Sequence, residues 1–116
     1  MKRRYAFLVP LFMLSQIVAV AAQDQVKLFK IVSPKDEVVV GITTDELLKY
    51  GSGSELDNLA RHLVEAGQMT IWQYAVRKDQ SGNLQQAPLK RIAIFKSDMM
   101  RIEPYSSPLP VVAPEK

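Results

Sequence analysis

The sequence predicts an α+β domain of two layers, an antiparallel meander sheet in the order β-β-α-α-β-β-β with helices covering one face. Three observations carry this expectation. Short runs of alternating apolar residues stand on either side of the middle of the chain. One stretch between them repeats at helical spacing. The strand-like runs are joined by turns too short for a parallel crossover.

The elements follow in order. Residues 26–32 read as a strand, with Phe29 and Ile31 on one face. Ser33, Pro34, Lys35 and Asp36 form a turn signal, with proline where its fixed φ suits the second position. Residues 37–42 are rich in β-branched side chains and return as a second strand. Counting back across the turn pairs Ile31 with Val38 and Phe29 with Val40. With Ile42 they make one apolar face.

Two helices come next. Thr43 can cap the first, and Glu46 stands where a capping box needs it. That helix carries Leu47 and Leu48 and stops near Gly51. Ser52, Gly53, Ser54 and Glu55 restart the chain with a second cap signal, and the following helix has the stripe Leu56, Leu59, Ala60, Leu63 and Val64. Asn58, Arg61, His62 and Glu65 are expected on its solvent side. Gly67 suits a left-handed closure.

Residues 69–78 form a strand with Thr70, Trp72, Tyr74 and Val76 on one face and Met69, Ile71, Gln73 and Ala75 on the other. A polar loop with Gly82 turns the chain into residues 84–96, where Pro88 marks an edge or a bulge. Residues 99–103 can add a short strand. Beyond Glu103, Pro104, Pro108, Pro110 and Pro114 favour an extended or disordered tail. The expected organisation is residues 1–22 as signal peptide, 23–104 as one small domain and 105–116 as a proline-rich tail.

The amino terminus carries Lys2, Arg3 and Arg4, then an uncharged apolar stretch, then Ala19, Val20, Ala21 and Ala22. A basic start, apolar centre and small-residue cleavage site make a secretory signal. Cleavage after Ala21 or after Ala22 fits equally. The apolar run is shorter than a spanning helix and is interrupted by Pro10, Ser15 and Gln16. The expected product is an exported protein, in a bacterial periplasm or secreted, with no stable membrane span after cleavage.

Removing the signal changes the charge. The 116-residue chain has 15 Lys plus Arg against 12 Asp plus Glu, a net of +3. Without Lys2, Arg3 and Arg4, twelve basic residues face twelve acidic ones. The high pI therefore gives no reason to expect nucleic acid as a partner. The chain has no cysteine, which closes disulfide, thiol and Cys-ligated metal chemistry.

The remaining candidates are few. His62 is the single histidine, too few for a zinc site of three or four protein ligands. The acidic pairs Asp36–Glu37, Asp45–Glu46 and Glu55–Asp57 lie at a turn or at helix starts, where the dipole favours them. The Gly51–Ser54 stretch lacks the lysine and spacing of a phosphate loop. No cofactor and no metal is implied. Trp72, Tyr74, Arg77, Lys90 and Arg91 form the most suggestive cluster, since aromatic and arginine side chains together resemble a binding hot spot.

The leading expectation is a small non-enzymatic accessory protein that docks another exported protein through a sheet face, a strand edge or its tail. The alternatives are a small-ligand-binding domain, with a pocket between helices and sheet near Trp72, and a small hydrolase using carboxylates or His62.

Overall fold

The computed structural model describes residues 25–115. The expected signal segment and its cleavage site lie outside the described residues. The chain runs β1 (Val26–Val32), β2 (Glu37–Thr43), α1 (Thr44–Tyr50), α2 (Glu55–Ala66), β3 (Gln68–Lys78), β4 (Leu84–Phe95) and β5 (Arg101–Tyr105). It is an α+β fold with one five-stranded antiparallel sheet in the order β4-β3-β2-β1-β5. Four strands form the expected meander. The fifth does not extend it beside β4 but crosses to the free edge of β1, where Ile102 stands opposite Ile31.

The first hairpin has the register the sequence dictates, with Phe29 opposite Val40 and Ile31 opposite Val38. The Ser33 amide donates to the Asp36 carbonyl at 2.9 Å and closes the turn. The Thr43 hydroxyl accepts from the Glu46 amide at 3.3 Å and opens α1. Ser54 caps α2 through the Asp57 amide at 3.2 Å. Gly67 ends α2 with φ 81° and donates to the Leu63 carbonyl, the left-handed closure for which glycine carries no Cβ penalty.

The core lies between the helices and one face of the sheet. Phe29, Ile31, Val40, Ile42 and Ile71 meet Leu47 of α1 and Leu59 and Leu63 of α2. Ile71 is therefore on the helix-covered face, and Trp72 points the other way. The buried arc of α2 is rotated from the expected stripe. Val64 is 57 % exposed, whereas Asn58 is buried. The cause is local chemistry. Asn58 Nδ2 donates to the carbonyls of Leu47 and Gly51 at 3.1 and 2.9 Å, and Oδ1 accepts from the Gly53 amide at 3.0 Å. One buried amide thereby satisfies the end of α1 and the loop into α2, groups that would otherwise lack partners. His62, expected on a solvated face, instead stacks on Tyr50, with ring centroids 3.8 Å apart and nearly parallel planes.

Among the described residues the other face of the sheet carries no helix. Gly41 lies there opposite Leu28 and Trp72. The Tyr74 ring occupies the space a Cβ on Gly41 would need. The segment after β5 is not a free tail. It reaches the opposite edge of the sheet, where the Gln86 amide donates to the Pro110 carbonyl at 2.8 Å and the Val112 amide donates to the Gln86 carbonyl at 2.9 Å. Val111 forms a parallel bridge with Gln86. The Tyr74 hydroxyl donates to the Val112 carbonyl at 2.6 Å. Proline density disfavours a continuous ladder but does not prevent two isolated backbone bonds and one side-chain clamp.

Candidate functional site

The site is built on β3 and β4. Gln86 turns both backbone groups away from β3, towards the tail. By the alternation of an antiparallel ladder Pro88 faces the same way, where its missing N–H takes nothing from the β3 pairing. The register then skips Leu89, since Tyr74 pairs with Pro88 and Gln73 with Lys90. Both sequence readings of Pro88 apply: β4 is an edge strand, and the irregularity lies next to the proline. Beyond it, Lys90 to Phe95 pairs with β3 alone. Among the described residues no strand lies on its outer flank. Such a flank presents backbone donors and acceptors to solvent at alternate residues.

The five sequence-predicted site residues fall into four places. Trp72 and Arg91 are register partners on the helix-free face, with the Arg91 guanidinium 5.6 Å from the Trp72 ring centroid. Lys90, next to Arg91 in the chain, is exposed on the edge strand opposite Gln73, so it belongs to the other face. Tyr74 is on the same face as Trp72 but only 3 % exposed. Its ring packs over Gly41 and its hydroxyl holds the tail, so it anchors structure rather than presenting a free surface. Burial pushes its phenol up to about 12. Arg77 lies near the tip of the β3–β4 hairpin, exposed and opposite Gln85, apart from the Trp72–Arg91 pair.

Charge is distributed unevenly over this frame. Between Gln68 and Lys96 the chain carries five cations, Arg77, Lys78, Lys90, Arg91 and Lys96, and one anion, Asp79. Elsewhere three of the six described cations find carboxylates, Lys27 with Glu55 at 3.9 Å, Lys30 with Glu37 at 3.6 Å, and Arg101 with Glu103, while Lys35, Lys49 and Arg61 have none within 4 Å among the described residues. The Arg101–Glu103 contact raises the Arg101 pKa and lowers that of Glu103. Among the described residues none of the five hairpin cations has an ion-pair partner within 4 Å. The balance of twelve cations and twelve anions beyond Arg4 conceals this asymmetry, which the sequence already held and which a count by element reveals.

Hollows near the site are small. The one that touches Trp72 and Arg91 has about 20 Å³, well below the few hundred Å³ of a typical small-molecule pocket. A larger groove of about 300 Å³ lies on the helix side, lined by Leu56, Ala60, Val64, Met100 and Ile102. No three His, Asp or Glu side chains gather closely enough to hold a metal among the described residues. Among the described residues no helix is long and apolar enough to cross a membrane. Comparison with protein families, with curated proteins and with solved structures finds no match for the chain.

Proposed function

We propose that the chain is a small exported accessory protein that docks another exported protein by strand addition to the outer flank of β4. One observation carries this reading. The flank is already used once, by the protein's own tail at Gln86, and among the described residues it stands open from Leu89 to Phe95. An open edge invites pairing unless it is blocked, and an extended segment placed there gains main-chain bonds in register, with side-chain contacts supplying specificity. Trp72, Arg91 and Lys90 sit where such contacts would be made. The signal-like amino terminus supports export, and a periplasmic partner is favoured on that ground.

The groove beside α2 favours a second reading, a small apolar ligand held between Val64 and Met100. Crosslinking the protein in its own host and capturing it separates the two. Strand addition predicts a captured protein whose crosslinks map to β4, and it fails if no partner is captured. A ligand reading predicts instead a thermal shift that Val64→Asp abolishes. Cell fractionation tests export, and recovery of the unprocessed chain from the cytoplasm would contradict it.

A further inference from the structure

We infer that the segment added to β4 is an extended acidic peptide of the partner, its carboxylates received by Arg91 beside Trp72, with Lys90 adding positive charge from the opposite face of the strand. The inference rests on the strand-addition reading and deepens it by naming the chemistry of the occupant. Three features converge on the same stretch. Among the described residues the outer flank of β4 is unpaired from Leu89 to Phe95. Lys90 and Arg91 lie within that stretch, exposed, and without an ion-pair partner among the described residues. The flanking Leu89 and Phe95 are 45 and 63 % exposed, so the stretch offers apolar contacts at either end of its charge. A bound strand places alternate side chains on each face of the sheet. On the helix-free face those side chains meet the Arg91 guanidinium, whose planar fork suits a carboxylate. The apolar contacts and the unpaired backbone fit a peptide strand better than a nucleic acid or a lipid surface, which would use the charge alone.

The probe is a fluorescein-labelled decapeptide of alternating glutamate and threonine, added to the protein purified from its host. Trp72 is the single tryptophan, so its emission reports events at Arg91 directly. Saturable binding is expected by anisotropy, with a change in Trp72 emission. The matched lysine–threonine peptide should not bind. The acidic peptide N-methylated at alternate residues should bind at least about tenfold more weakly, because it cannot complete the main-chain pairing. The double variant Lys90→Glu/Arg91→Glu should weaken binding about tenfold or more at about 50 mM salt, a difference that shrinks as salt rises. Its melting temperature should match the parent's. If it does not, Lys90→Gln/Arg91→Gln replaces it, with a smaller loss expected.

Equal binding of the two peptides, indifference to N-methylation, or indifference to both double variants overturns the inference. So does binding of phosphatidylglycerol vesicles or a single-stranded oligonucleotide where the acidic peptide fails to bind. A host partner still captured by the Lys90→Glu/Arg91→Glu variant leaves docking intact and overturns the acidic occupant. Absence of any captured partner removes the docking reading itself.

Discussion

The two faces of the sheet are closed by different means. On one face α1 and α2 lay Leu47, Leu59 and Leu63 over Phe29, Val40, Ile42 and Ile71, and the seal is continuous and apolar. On the other a strap of chain reaches across, held by Tyr74 and Gln86, and the sheet beside it keeps Trp72, Arg91 and the flank of β4 accessible. The first face accounts for the stability of the fold. The second is under no such demand, and there the chain leaves unpaired charge and unpaired backbone.

The largest expected effect breaks the sealed face. Leu63→Asp places a carboxylate where Leu63 is 4 % exposed and should cost about 4 kcal/mol or more. Loss of the cooperative thermal transition is the outcome to look for, and a parent-like melting temperature would show that the core has been misplaced. Next is Asn58→Ala, which leaves the Leu47 and Gly51 carbonyls and the Gly53 amide without their partner. A loss of about 2–4 kcal/mol is expected in urea unfolding, and a loss under about 0.5 kcal/mol, the range of an ordinary surface site, would contradict the capping role.

On the strapped face the effects are smaller. Gly41→Ala drives a methyl into the Tyr74 ring and should cost about 1–3 kcal/mol. It should also speed exchange of the Val112 amide, since the ring must shift and loosen its hold on the tail. Protection of Val112 unchanged from the parent would separate Gly41 from the strap. Tyr74 adds a pH dependence. Its folded pKa of about 12 lies above the ordinary 10.0, so its contribution is complete below pH 10 and disappears as pH climbs towards 12. Tyr50, raised by burial and by Glu46, acts in the same direction. Urea unfolding should therefore weaken across that window, and less so in Tyr74→Phe. A parent protein equally stable at both ends would deny the burial. Smallest of all, Arg91→Ala should change stability by no more than about 0.5 kcal/mol, although it removes a side chain on which binding depends.

The two faces also differ in how far residue order foretells them. The hairpin register, the caps at Thr43 and Ser54 and the closure at Gly67 each follow from a local rule, and each stands in the fold. Asn58 escapes such rules because its role depends on where the end of α1 lies. A polar residue in the first turn of an amphipathic helix reads as solvated until a neighbouring helix offers it three partners. The strap escapes for a similar reason. Its hold is a hydroxyl 38 positions away in sequence, and the prolines around it advertise an extended chain without saying what it lies against. Of the five candidate site residues, Trp72 and Arg91 are brought together as strand alternation implied. Tyr74 is taken by the strap, a role its strand position alone does not reveal.

Hydrogen exchange along β4, read amide by amide with and without the glutamate–threonine peptide, puts the open flank to its most direct test. In the free protein the Gln86 amide should be protected by Pro110, while the amides that face outward between Leu89 and Phe95 exchange quickly. Adding the peptide should slow those outward amides and leave the inward ones, already bonded to β3, as they were. Outward amides that are slow in the free protein, or that stay fast with the peptide saturating, would contradict the account.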